Sequence, residues 1–232
     1  MTIFAGPCLY IDDSQTQEIL DTAKALKNIG IDYFRCKLWG GGTKPEKYYP
    51  GIGYKGLETL GKIREFMTVG TDISIPSQLA NCENNLDYFW VGTRNSQNYM
   101  FLEVIKTYNL PFALKRGFGM PIDEAISIYK MSGAKWLIER GIITFDVQPG
   151  ARYIPDLRGV LKIKYEEPEI FENLIIDCSH SVFDKRFVGD VYKAFKAIGV
   201  QHFMFECTLS GESVTDQNHM LSVKVLEKII KE

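Results

Sequence analysis

Two sets of reactive side chains run through the 232-residue sequence. The first is Cys8, His180, Glu206 and Asp216, a thiol, an imidazole and two carboxylates. Gathered in one place, these S, N and O donors suit a borderline divalent cation such as manganese, iron, zinc or cobalt. The second set is cationic: Arg35, Lys44, Arg94, Lys115 and Arg140. Forked guanidiniums and point-charge ammoniums suit phosphate and carboxylate oxygens, so they point to a small, doubly anionic substrate. Members of each set lie far apart in the chain, so spacing alone brings neither together. The fold has to do it. The other two histidines read differently. His202 precedes an apolar strand and His219 opens the final helix, and both are expected to be structural.

The elements that would position these groups alternate regularly. Strands are expected at Ile3–Ala5, Asp32–Leu38, Asp72–Ile75, Tyr88–Val91, Pro111–Leu114, Trp136–Ile138, Leu174–Asp177 and Phe203–Phe205. Helical periodicity is expected over Ser14–Ile29, Gly56–Met67, Ser96–Tyr108, Pro121–Met131 and Leu221–Ile230. Ile142–Pro168 carries three prolines and reads as a loop with a broken helix. Strands separated by helices argue for a parallel sheet. Eight such units in this length argue for an α/β fold: a single (β/α)8 TIM barrel spanning residues 1–232 as one catalytic domain.

In that architecture chemistry collects at the carboxyl ends of the strands. The reactive sets fall there. Gly6-Pro-Cys8 follows the first strand, and Arg35, Lys37 and Lys44 lie on and after the second. Arg94, Lys115, Arg140, His180 and Glu206 follow or end the fourth to eighth, and Asp216 lies in the last loop.

Composition narrows the partners. Hydrophobic residues make up 45%, charged residues 24%, and the formal net charge is -2. These values describe a folded globular chain and exclude one that lives on nucleic-acid backbone contacts. No apolar run reaches the length of a membrane span, and the N-terminus has no signal-peptide pattern. Five cysteines without a CxxC pair predict free thiols in a reducing compartment, hence a cytoplasmic protein. The chain starts at its first strand and ends with its last helix, so no appended regulatory domain is expected.

The motifs resemble those of class I 3-deoxy-D-arabino-heptulosonate 7-phosphate (DAHP) synthases and their 3-deoxy-octulosonate 8-phosphate relatives. The resemblance rests on Ala5-Gly-Pro-Cys8, Arg35 with Lys44-Pro45, and Gly92-Thr-Arg-Asn95 with Gln97-Asn98. It continues through Leu114-Lys-Arg-Gly117, Glu139-Arg-Gly-Ile142, Asp177-Cys-Ser-His180 and Glu206. Each piece is short, but their order covers nearly the whole chain. The resemblance implies a metal-dependent aldol-type condensation of phosphoenolpyruvate with an aldose or aldose phosphate, with release of phosphate. It implies Cys8, His180, Glu206 and Asp216 as metal ligands. It implies Arg94, Lys115 and Arg140 as phosphoenolpyruvate ligands, with Arg35 and Lys44 beside them. Lys44 would also move protons, so Lys44, His180 and Cys8 form the implied catalytic group. Homo-oligomers, dimers or tetramers, and a place in aromatic amino acid biosynthesis are implied as well.

The departures cluster at the aldehyde end. The family signature Lys-Pro-Arg-Thr/Ser is Lys44-Pro45-Glu46-Lys47 here, after a few extra residues that include Gly40-Gly-Gly42. A carboxylate facing a substrate phosphate would oppose it. Ile142-Ile-Thr-Phe145 stands where Arg-Thr-Phe is usual, and Cys178 stands where the family usually has Pro. Three readings stay open: DAHP synthase chemistry, the same chemistry on an octulosonate-type or sialic-acid-type acceptor, and a non-catalytic barrel that binds phosphoenolpyruvate or metal.

Overall fold

Strands that are apolar on both faces must be covered on both faces, and here they close on themselves. In the computed structural model, which describes residues 1–40, 48–148 and 151–232, the strands numbered along the chain begin with β1 (Thr2–Gly6), β2 (Tyr33–Arg35), β3 (Thr68–Ile73), β4 (Tyr88–Val91), β5 (Phe112–Lys115) and β6 (Trp136–Glu139). An antiparallel hairpin follows, β7 (Ile142–Gln148) and β8 (Ala151–Ile154). The barrel resumes with β9 (Leu174–Asp177) and β10 (His202–Thr208), and β11 (Leu221–Ser222) adds a short pairing outside. Strands β1 to β6 pair in sequence, β6 pairs with β9, β9 with β10, and β10 with β1, all in parallel. The result is the eight-stranded closed barrel expected from the alternation.

Strand residues alternate between two cores. Phe4, Tyr88, Trp90, Ala113, Trp136, Ile138, Ile175 and Met204 form one buried cluster, the filling of the barrel. Ile3, Phe34, Val69, Phe89, Leu114, Leu137, Ile176 and Phe203 belong to the other, packed beneath the helices. Phe4, Tyr88 and Trp136 meet edge-on, with centroids 5.4 to 6.1 Å apart, and make a dense aromatic floor. Gly70 on β3 makes room for it. A Cβ there would lie 2.4 Å from the Tyr88 ring. The ring cannot swing away, because its hydroxyl donates to the Phe34 carbonyl at 2.9 Å.

The helices are α1 (Thr16–Asn28), α2 (Gly56–Arg64), α3 (Pro76–Cys82), α4 (Tyr99–Ile105), α5 (Ile122–Ser132), α6 (Leu157–Glu166), α7 (Pro168–Phe171), α8 (Val188–Ala197) and α9 (Val223–Lys231). α1 buries Ile19, Thr22, Ala23 and Leu26, one face of a 3.6-residue period. Two of these helices, α3 and α8, are not among those expected from the periodicity. α3 is short and starts at a proline, and the Gln78 side chain caps it by accepting from Ser74 N and Ile75 N. Only Gln78, Leu79 and Cys82 of it are buried, too few to show a period. α8 buries Val188, Tyr192 and Phe195, an i, i+4, i+7 stripe. The third strand lies earlier than expected, at 68–73 rather than 72–75. Ile142–Pro168 is a hairpin followed by α6, not a loop with a broken helix. Among the described residues, no helix is long and apolar enough to cross a membrane.

Gly70→Ala is expected to destabilise the protein by about 1–3 kcal/mol through overpacking. Urea unfolding would read this as a lower midpoint with an unchanged slope; a midpoint equal to wild type would show that the floor can relax.

Candidate active site at the carboxyl end of the barrel

The inward row of the barrel changes character at its carboxyl end. Above the aromatic floor stand Arg35, Asp72, Lys115, Asp177 and Glu206, all buried. Charges in such a place must be paired. Arg35 Nη1 donates to Glu206 Oε1 at 2.6 Å and to the Pro7 carbonyl at 3.3 Å, and the guanidinium lies 5.0 Å over the Trp90 ring. Lys115 Nζ donates to Asp177 Oδ2 at 2.8 Å. Lys37 Nζ lies 3.1 Å from Asp72 Oδ2.

Loops bring the remaining donors over this layer. Gly6 takes φ 150°, and a Cβ there would lie 2.2 Å from the Arg35 carbonyl oxygen. Only glycine lets β1 pass so close to β2 and turn into Pro7-Cys8. Cys8 Sγ then donates to Asp216 Oδ2 at 3.1 Å. After β9, the Asp177 carboxylate accepts from His180 N at 3.0 Å and pairs with His180 Nδ1 at 2.8 Å. This leaves His180 Nε2 facing Glu206 Oε1 at 3.5 Å. His219 Nε2 approaches the other oxygen, Glu206 Oε2, at 2.8 Å.

Electrostatics follow the pairing. Burial would raise the Asp177 carboxyl, but His180 and Lys115 hold it well below the ordinary carboxylate range. Burial likewise opposes Glu206, and His180, Arg35 and His219 hold it low. Burial lowers the His180 imidazole, while Asp177 and Glu206 oppose that shift. Burial, then Glu206 and Asp216, push the Cys8 thiol well up. A divalent cation would reverse that last balance by favouring the thiolate.

Thus the structure brings Cys8, His180, Glu206 and Asp216 to one place. It also corrects the placement of one residue: His219 does not open the last helix. It lies on the turn Gln217–His219, fully buried, in the same cluster. Ligand atoms of His180, Glu206, Asp216 and His219 all lie within 4.8 Å of one another. Nitrogen and carboxylate donors so placed, with a thiol beside them, fit a borderline divalent cation. The signal in the sequence was the three-residue gap from Asp216, which the expected helix start obscured. His202 does stand apart, at the opposite end of β10, bonded to the Glu172 carbonyl.

Beside the donors opens a cavity of about 120 Å³ lined by Arg35, Lys37, Arg94, Lys115, Arg140 and Phe118, among others. Arg94 lies 5.5 Å over the Phe118 ring, and Arg140 lies 4.9 Å over it and 4.2 Å over Tyr153. Neither guanidinium has a carboxylate partner within salt-bridge distance among the described residues, and Arg140 Nη1 is buried without a hydrogen-bond partner. Of the five expected cations, Arg35, Arg94, Lys115 and Arg140 line this cavity. Lys44, like Glu46, lies outside the described residues. Phe118, Tyr153, Asp72 and Phe183 carry no signal in the sequence, since apolar or isolated residues form no motif.

Glu139 and Arg116 point the other way. Arg116 Nη1 bonds Glu139 Oε2 at 2.7 Å and Asp156 Oδ2 at 2.6 Å, and its Nε bonds the Met120 carbonyl. This network ties the start of α6 to β5 and β6 behind the cavity. Arg116→Met is expected to cost about 3–5 kcal/mol by leaving buried carboxylates unpaired. Chemical denaturation measures it, and a loss below 1 kcal/mol, the range of a surface pair, would contradict the network's burial.

Asp177 and Glu206 also set the acid limb. Their folded-state pKa values are depressed, so the stability they contribute is present above the ordinary carboxylate value of about 4 and is lost as pH falls further. Melting temperature followed from pH 7 downward should therefore drop steeply only below about pH 4. Asp177→Asn should melt lower at neutral pH and show a shallower acid slope; an unchanged slope would remove Asp177 from the balance.

The DAHP synthetase I family model matches residues 1–232. The chain is 29% identical over 239 aligned residues to the phospho-2-dehydro-3-deoxyheptonate aldolase of Thermotoga maritima, covering all of this chain and 68% of that one. It is 25% identical to the 2-dehydro-3-deoxyphosphooctonate aldolase of Wolinella succinogenes, covering 99% and 97% of the two chains. The crystal structure of the Thermotoga maritima DAHP synthase superposes with a TM-score of 0.87 at 28% identity, over all of this chain and 67% of that one. A truncated form of the Thermotoga maritima synthase gives 0.83 at 28% identity, over all of this chain and 84% of that one.

Proposed function

Because the chain belongs to the DAHP synthetase I family, we propose that its barrel condenses phosphoenolpyruvate with an aldose or aldose phosphate. C3 of the enol forms a bond to the aldehyde carbon, whose oxygen takes up a proton. Water adds at C2, and inorganic phosphate leaves. The observation that supports this most directly is the pair Arg94 and Arg140. Among the described residues neither has a carboxylate within salt-bridge distance, and Arg140 has a buried, unpartnered Nη1 at the cavity wall. An unpaired buried donor is costly unless a ligand satisfies it.

Each group then has a role. Arg94 and Arg140 hold the phosphate and carboxylate of phosphoenolpyruvate. Lys115, fixed by Asp177, adds a third cation. Arg35, locked to Glu206, orients that carboxylate and lends positive potential from below. Preset donors in a site that excludes water stabilise charge as it moves along the enol phosphate. Lys44 is assigned the proton passed to the aldehyde oxygen. Cys8, His180, Glu206 and Asp216 would hold a divalent cation, which when bound supplies Lewis acidity to the aldehyde or orients the water. The acceptor follows from residues Glu46 and Lys47, where a family arginine would grip a sugar phosphate. An aldehyde other than erythrose 4-phosphate is therefore part of the proposal, in keeping with the likeness to an octonate aldolase.

The test is phosphoenolpyruvate consumption and phosphate release by metal-loaded protein with erythrose 4-phosphate, arabinose 5-phosphate and unphosphorylated aldoses. Turnover with at least one acceptor is expected, and its loss together with bound metal in His180→Ala. No turnover across the panel would favour the non-catalytic barrel, and full activity of His180→Ala without metal would remove the ligand assignment.

A further inference from the structure

We propose that His219 is a direct ligand of the divalent cation, so that the site grips its metal through two imidazoles. The inference rests on the reading that this cluster binds a cation at all, and it adds a donor that the motif pattern does not contain.

Three observations carry it. First, His219 is fully buried, and a ligand atom of it falls within 4.8 Å of those of His180, Glu206 and Asp216. Second, the local chain is built to put it there. Asp216 adopts a left-handed backbone, φ 56° and ψ 30°, and the single turn Gln217–His219 follows at once. His219 N donates back to the Asp216 carbonyl at 3.2 Å, so the carboxylate and the imidazole belong to one tight unit. Third, its hydrogen bonding is incomplete. Nε2 meets Glu206 Oε2 at 2.8 Å, but Nδ1 is buried with no hydrogen-bond partner. A buried polar atom without a partner is uncommon and calls for an explanation. His202 also has an unpartnered Nδ1, yet among the described residues no set of donors gathers around it.

The two imidazoles face one carboxylate from its two oxygens, His180 toward Oε1 and His219 toward Oε2. Their rings lie 5.0 Å apart, and Phe183 packs against both, at 6.0 Å from His180 and 4.7 Å from His219. Phe183 itself holds φ 55°, a rare conformation for a bulky residue and one found where the surroundings impose it. The imidazoles are thus walled together beside Glu206 and Asp216. The chemical consequence is a donor set weighted toward nitrogen and oxygen, with Cys8 as one donor among five. Imidazole suits iron and zinc, and carboxylate suits manganese.

Pulsed EPR on manganese(II)-loaded protein labelled with 15N-histidine counts bound imidazoles without requiring turnover. Two are expected in wild type and one in His219→Gln, whose manganese affinity should fall by about tenfold or more. One imidazole in wild type, lost in His180→Ala and kept in His219→Gln, would overturn the inference and leave the cation site standing. No bound imidazole in wild type would overturn both. The wild-type count guards against a His219→Gln chain that fails to fold.

Discussion

The carboxylate of Asp177 is the point on which the site turns. It ends β9, lies fully buried, and accepts from three donors: Lys115 Nζ, His180 N and His180 Nδ1. One oxygen pair therefore fixes both an ammonium of the anion pocket and the tautomer and direction of a metal-facing imidazole. A ring held this way presents Nε2 and no other nitrogen, which is how outer partners aim histidine ligands. Arg35 and Glu206 repeat the device across the barrel, joining β2 to β10 beneath the cavity. The two pairs are costly to bury, and removing one partner of either would strand a buried charge. What they secure is geometry.

That geometry needs a rigid base, and the aromatic floor supplies it. Phe4, Tyr88 and Trp136 fill the barrel below the charged layer, and Trp90 bridges the two, its ring under the Arg35 guanidinium. Water is kept from the ion pairs on that side. Low dielectric then strengthens each pair and also makes an unpaired group expensive. Among the described residues, the unpartnered Arg35 Nε, Asp72 Oδ1, Arg140 Nη1 and His219 Nδ1 are therefore places where the site is unfinished, and Arg35, Asp72 and Arg140 line the cavity.

The barrel was legible because its strands are short apolar runs at even intervals, and Tyr88–Val91 and Leu174–Asp177 begin and end where the pattern says. Arg35, Lys115, Arg140, His180 and Glu206 were legible for the same reason, as polar residues on or just past strand ends. Other features were not. Lys115 and Arg116 are neighbours with the same charge, yet one points into the cavity and the other into the layer behind it. The two-residue alternation of a strand decides this, and composition does not. A histidine before an apolar stretch looks like a helix start, and only the left-handed turn at Asp216 shows that His219 precedes the helix on a separate turn. The hairpin β7–β8 was hidden by its prolines, which also border loops. Pairing between strands so close in sequence still needs a partner register that single-chain patterns do not display.

The seam of the barrel gives the protein a particular birth order. β1 pairs with β10, Thr2 opposite His202 and Gly6 opposite Glu206. The bridge from Arg35 to Glu206 spans 171 residues of chain. During synthesis one edge of the first strand stays unpaired until β10 has emerged. Contacts this distant make closure a late and slow event, with exposed edges in the meantime. Arg35 gains its counter-charge at that same moment, and so do the histidines that face Glu206. A nascent chain short of its eighth strand can form the Lys115–Asp177–His180 network, but it lacks Glu206, Asp216 and His219: ring closure adds the last donors to the site.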